Sequence, residues 1–218
     1  LNFYFSDDFR SGKLGDNSVS LNLFANLMSW NAVFGGAGGQ FVRPYDFYEA
    51  RQPGVLFHGL RYYYFYAGYS TDYRKKLAID YTFNVSNFMD RFRWFGYNND
   101  LSFRIRPNDK LFLIYKIAYY FDPFNVGFAN FDENGSSIIG GRRLDTWENN
   151  IQANYTFRNN MWITLIARHY WITGEYKRYF RLDDGGELLD ADDYSDNNNF
   201  NFNILNLDIV YEWRFSPG

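Results

Sequence analysis

Cysteine is absent from this chain, which removes disulfide frameworks, thiolate zinc sites and cysteine nucleophiles. No run of about 18 apolar residues occurs, so no conventional transmembrane helix is encoded. No segment carries a convincing helical period. A basic stripe is missing as well. The 22 Lys and Arg stand against 25 Asp and Glu, a formal net charge of −3, and the electrostatic case for nucleic acid fails. The start, LNFYFSDDF, has neither an initiator Met nor a basic segment followed by an apolar run, which predicts an N-terminus that is processed or cut in mid-domain.

What the chain does have is aromatic rings: 24 Phe, 20 Tyr and 6 Trp make up 23% of it, the alphabet of a strand former. Period-two alternation runs through it. In KLAIDYTFNVSN, Leu77, Ile79, Tyr81, Phe83 and Val85 share one face, and Asp80, Thr82, Asn84 and Ser86 the other. The pattern recurs at 101–106, 151–157 and 205–215, and less regularly at 1–9, 19–28, 55–69, 111–121 and 161–173, which predicts roughly nine strands. Tight polar turns are expected at 70–75, 107–110, 158–160 and 216–218. Longer excursions at 29–53, 122–146 and 178–198, with a shorter one at 88–95, alternate with them.

Strands of ten or more residues, with short connections at one end and long ones at the other, fit a membrane. A bilayer core needs about ten tilted residues per strand, and lipid requires every backbone donor and acceptor to be paired within the protein. The fold expected is all-β: an antiparallel transmembrane β-barrel of the bacterial outer membrane, seen as a fragment of at least nine strands, with short turns toward the periplasm and long loops outside. Trp213, Phe215, Tyr155, Phe157 and Trp162 flank the short turns, where an interfacial aromatic belt would lie. A soluble sandwich also alternates, but turns its apolar parity inward.

The final stretch, YEWRFSPG, is a strand running into a turn, and a turn calls for a further strand. Residues 1–218 are therefore expected to be part of a single barrel domain, with further strands after 218 and others before 1 left open. YEWRFSPG also resembles the near-C-terminal stretch of a family of large bacterial outer-membrane proteins of unknown function, in which an aromatic-x-Trp-x-Phe strand meets a Pro-Gly turn before one last strand. PGVLFHGLRYYYFYAGYSTDYRKK and RPNDKLFLIY are similar to the same family's barrel. The resemblance implies a C-terminal barrel whose N-terminal partner is a β-sandwich like a carbohydrate-binding module. It brings no catalytic residues with it.

The residues themselves assign no catalytic group, cofactor or metal ligand. The histidines are His58 and His169, and no local signature marks Ser29 or Ser70 as a nucleophile. The acidic loop RLDDGGELLDADDYSDNNN starts like a calcium loop at Asp190-x-Asp192, but Tyr194 stands where a third ligand belongs. It reads as a solvated extracellular loop, with calcium left open. GGAGGQ lacks the Lys-Ser/Thr of a phosphate loop and reads as a flexible connection. On the polar parity, Asp80, Arg104, Arg106, Lys116, Asp208, Glu212 and Arg214 are expected to face the lumen, where mixed signs fit a hydrated pore or an interior closed by ion pairs. Phe34, Phe41, Tyr45, Phe47 and Tyr48 in the first long loop, and Phe124, Phe128 and Phe131 in the second, are candidates for contacts with a glycan or another envelope protein, or for packing of the loops over the barrel mouth. The expected role is a channel or membrane anchor among membrane lipids. A non-conducting accessory subunit of a transport or secretion complex is the alternative, and an outer-membrane hydrolase the third.

Overall fold

The computed structural model describes residues 1–7, 12–92 and 94–215. Among them there is no helix. The strands are β1 (Asn2–Asp7), β2 (Leu14–Asn26), β3 (Ala32–Gln40), β4 (Tyr45–Asp46), β5 (Phe57–His58), β6 (Tyr62–Ser70), β7 (Leu77–Phe88), β8 (Gly96–Ile105), β9 (Leu111–Phe131), β10 (Ser137–Arg158), β11 (Met161–Leu182), β12 (Leu188–Asp190) and β13 (Phe200–Trp213). Eleven of them form one antiparallel sheet in the order β1-β2-β3-β6-β7-β8-β9-β10-β11, with β12 and β13 pairing different stretches of β11. β4 and β5 make a separate ribbon. The sheet is open: among the described residues β1 pairs only with β2, and β13 only with β11.

Register extends the local alternation across the whole sheet. One row of partners runs Asn26, Ala32, Ser70, Asp80, Ser102, Lys116, Asn150, Arg168, Asn206. The adjacent row runs Ala25, Val33, Tyr69, Tyr81, Leu101, Ile117, Asn149, His169, Leu205. In both rows even numbers meet even and odd meet odd, so along the middle of the sheet a polar face and an apolar face each continue from strand to strand. The rows also climb: they start beside the β2–β3 turn and reach β10 and β11 far from the turn that joins those two strands.

Hairpins form at the polar turns between β6 and β7, β8 and β9, and β10 and β11, as the turn residues predict. The turn expected at 216–218, and Phe9 of the opening strand, lie outside the described residues. The long excursions differ from expectation. The segment 29–53 contains β3, so GGAGGQ is strand rather than flexible loop. Its glycines persist in a sheet because rings from the paired strand lie over them: Tyr66 over Gly36 and Tyr64 over Gly38, while Phe34 of β3 covers Gly68 of β6. The segment 122–146 is mostly hairpin, with β9 running to Phe131 and β10 starting at Ser137. There the alternation fails at bulges, between Ile138 and Ile139 and between Arg142 and Leu144, which hides the strand from a period-two reading. Likewise β11 continues to Leu182, and β12 pairs with its end.

The apolar core sits at this long-loop end. Phe57 of β5, Phe92 from the β7–β8 connection and Leu188 of β12 pack against Phe124, Ile139 and Phe180 of the extended β9, β10 and β11. In the strands outside this layer the buried apolar side chains are small, Ala78 near the β6–β7 turn and Ala118 in the middle of the sheet.

Candidate functional site

Three features share the sheet: a charged recess on the polar face, a tied-down loop layer, and an exposed aromatic face. The recess has a volume of about 400 Å³ and gathers Asp80, Asp100, Arg104, Lys116, Tyr120 and Glu148 from β7 to β10. The Tyr73 hydroxyl donates to Asp80 Oδ1 at 2.5 Å, the Arg104 guanidinium lies 3.9 Å from Asp80 and 4.5 Å from the Tyr73 ring centre, and Tyr120 donates to Asp100. Ser102 Oγ and Arg104 Nε are buried without a hydrogen-bond partner. The recess can hold water and small ions of either sign, because acids and cations alternate around it.

In the loop layer, the segment between β3 and β6 is tied to the one between β11 and β13. The Glu187 carboxylate takes a hydrogen bond from Arg43 Nη1 at 2.8 Å and meets His58 Nδ1 at 2.6 Å, and the His58 ring stacks on Tyr45 with centroids 4.4 Å apart. Arg61 grips Asp90 through Nε and Nη2, and Arg91 reaches Asp190. Arg181 bridges Asp132 and Asp193, and the Ser137 hydroxyl donates to the Ala50 carbonyl. Burial alone would push the Glu187 carboxyl up, but the hydrogen bonds from His58 and Arg43 outweigh it and hold it below the ordinary glutamate value. Asp90 is likewise pushed up by burial and brought lower on balance by Arg61.

Because both folded-state values are depressed, these ties contribute stability that is complete above the ordinary carboxylate range and is lost as pH falls through the depressed values. Limited proteolysis of the loops between β3 and β6 and between β11 and β13 is therefore expected to stay slow at neutral pH and to accelerate below about pH 4. Glu187→Gln should flatten that acid dependence. An acid profile identical in E187Q and the parent would show that this carboxylate does not hold the layer.

On the apolar face many large side chains stand exposed, among them Phe65, Leu77, Phe83, Ile151 and Phe157, while those of β8 and the inner part of β9, such as Leu101 and Ile117, are half-buried between their neighbours. Toward the long-loop end a band of hydrogen-bonded polar and aromatic groups crosses this face. Tyr115 donates to Asn149, Asn149 and Asn203 flank the two ring nitrogens of His169, Tyr119 donates to Asp145, and Trp171 donates to Asn201. At the short-turn end, Tyr155 packs edge-on against Phe157, and Trp213 against Phe215.

The structure brings Asp80, Arg104 and Lys116 together in the recess and sets Arg106 below it, at the neighbouring turn. Asp208 pairs with Arg168 at 2.6 Å, Glu212 stands opposite Trp162, and the Arg214 guanidinium lies 4.9 Å from the Trp162 ring centre. Of the aromatic contact candidates, Phe34 lies in β3 rather than in a loop, and Phe124 is only 6% exposed because the loop layer closes over it. Phe128 and Phe131 pack edge to face within β9, Tyr45 is taken up by His58, and Phe47 is half-buried. Phe41 and Tyr48 are exposed, Tyr48 to 86%. In the acidic loop, Asp183 caps its own turn and Glu187, Asp190 and Asp193 pair with basic side chains. No group of three acids or histidines with metal-binding geometry occurs among the described residues. Sequence reasoning missed Asp100, Tyr120 and Glu148, although their even parity on flanking strands was a usable signal. It also missed the pairing of Arg43 and His58 with Glu187 and of Arg61 with Asp90, because the partners lie too far along the chain to be read.

These features define an antiparallel β protein built on one open sheet with a polar and an exposed aromatic face. The chain belongs to the family described as Domain of unknown function (DUF5916), whose profile matches residues 1–218. No curated protein matches the chain, and no solved structure does.

Proposed function

We propose that this sheet is part of an outer-membrane β-barrel, with the odd-numbered face toward lipid and the even-numbered face toward the lumen, closed by further strands of the same polypeptide. The barrel acts as a channel or as the membrane anchor of a larger assembly. Its long-loop end faces outward, where exposed Phe41 and Tyr48 are open to a glycan or protein partner. One observation carries the reading: among the described residues, the large side chains of the apolar face along the middle of the sheet are exposed or half-buried and none is covered by another element, while the large buried side chains are confined to the loop layer. The aromatic girdles at both ends of that face and the progressive climb of the pairing rows support it, since barrel strands tilt and stagger.

Neighbouring residues of opposite parity provide the test. Ile151→Arg, on the apolar face of β10, is expected to weaken insertion into lipid vesicles by about 2–4 kcal/mol, the cost of Arg at a bilayer midplane. Gln152→Arg should insert like the parent. Equal tolerance of both would refute the membrane reading, because an exposed position on a soluble protein accepts Arg.

The pairs Arg104–Asp80 and Arg168–Asp208 on the polar face favour a second reading, a barrel whose interior is closed and which serves as an accessory subunit. Planar-bilayer recording separates the two. Stable single-channel steps support the channel, and silence from a folded, inserted protein supports the accessory role.

A further inference from the structure

We propose that the short-turn end of the polar face is a binding site for a soluble polyanion, a ligand carrying two or more phosphate or carboxylate groups. The chain as a whole is acidic, with a net charge of −3. Yet the turns 72–76 and 106–110 lie side by side, joined by a 2.7 Å hydrogen bond from the Arg106 N–H to the Lys76 carbonyl. Together they surround one recess of about 800 Å³ lined by Arg74, Lys75, Lys76, Arg106 and Lys110. Asp109 is the acid in that lining.

These cations are not all equivalent. Arg74 is held by Asp72 and lies over the Trp30 ring at 4.0 Å. Lys75, Lys76, Arg106 and Lys110 take part in none of the ion pairs among the described residues. Gathering like charges around one recess is unfavourable unless an anion compensates them. The second turn is rigid enough to act as a template, since Asn108 Oδ1 accepts from the N–H groups of both Lys110 and Leu111. The Arg106 guanidinium is steadied over the Phe112 ring, 4.6 Å from its centre. Asn154 and Thr156 add neutral hydrogen-bonding groups to the wall.

The side on which the recess opens selects the ligand. Phe112, Asn154 and Thr156 belong to the even-numbered, polar face, opposite the exposed apolar one. Lipid against the apolar face would present its headgroups on the wrong side, so the occupant is a soluble anion. At the other end of the strands, residues 183–199 carry seven acids and no Lys or Arg. Three of those acids, Glu187, Asp190 and Asp193, are paired with arginines, which leaves Asp183, Asp184, Asp192 and Asp196 to disfavour an anion there relative to the short-turn end. The inference uses the polar face and two turns, and holds whether or not the sheet closes into a barrel.

The test is calorimetric titration of the full chain, in neutral detergent at low ionic strength, with tripolyphosphate as the probe. Saturable binding that weakens as salt is raised is expected. The variant Lys75→Gln, Lys76→Gln, Arg106→Gln, Lys110→Gln should lose at least tenfold in affinity with its strand circular dichroism unchanged, and Lys76→Gln alone, at an exposed turn position, should lose less in the same direction. Substituting Arg51 and Lys177 by Gln, at the far end, should leave affinity unchanged. Absence of binding to the folded parent, or equal losses in the two sets of variants, would overturn the proposal. So would binding that depends on the same cations but occurs only on phosphatidylglycerol vesicles and not with tripolyphosphate, which would make the ligand a lipid headgroup.

Discussion

Phe180→Ala is expected to destabilise the loop layer by about 3–5 kcal/mol, the usual cost of truncating a fully buried Phe. Phe180 is 0% exposed and packs on Phe92 with ring centroids 5.5 Å apart, inside the cluster formed by Phe57, Phe124, Ile139 and Leu188. Three separate connections meet on this one ring system, so its loss frees all of them together. Hydrogen exchange should therefore accelerate in the connections between β3 and β6, β7 and β8, and β11 and β13. Amides in the middle of β7 to β10 should keep their protection, because their ladders do not pass through the cluster. If exchange rose equally in the mid-sheet amides, the layer would not be a separate cooperative unit.

Gly36→Val combined with Gly38→Val is expected to disrupt the β2–β3–β6 part of the sheet. A Cβ at Gly36 would meet the Leu21 carbonyl oxygen and lie 2.6 Å from the Tyr66 ring, and one at Gly38 would lie 2.6 Å from the Tyr64 hydroxyl and 2.8 Å from the Val19 carbonyl oxygen. Overpacking costs about 1–3 kcal/mol per site where side chains can yield, and more where the obstacle is backbone. The thermal midpoint followed by circular dichroism should fall well below that of the parent. Truncating the rings as well, with Tyr64→Ala and Tyr66→Ala, should restore only part of the loss, since the carbonyls of Leu21 and Val19 remain in the way. An unchanged melting curve in the double valine variant would mean that neither the rings nor the β2 backbone press on those glycines.

The two substitutions bear on opposite limits of what a sequence reveals. The strand over 77–88 was legible because its side chains carry the signal themselves, apolar on one parity and polar on the other. Asp80, Arg104 and Lys116 were legible for the same reason, and register brings them into one recess. GGAGGQ was illegible as a strand because glycine has no side chain to alternate. Its evidence lies in Tyr64 and Tyr66, on a strand that follows after an intervening connection. The outer parts of β9, β10 and β11 were missed for a different reason: bulges break the period, and Ile138 and Ile139, adjacent in sequence, are both fully buried.

The sequence by itself determined that the chain is all-β and antiparallel, that it turns tightly at the clusters of polar turn residues, and which side chains share a face. These are consequences of a two-residue period and of turn chemistry, both local. Tertiary structure alone decided that the parities stay in phase from strand to strand along the middle of the main sheet and slip only at the bulges, that the long excursions add strands and a packed layer, and that Arg43 and His58 close on Glu187. The Arg43–Glu187 partners are 144 residues apart. Nothing within a few residues of either one specifies the other, because the match depends on how the intervening strands stack side by side.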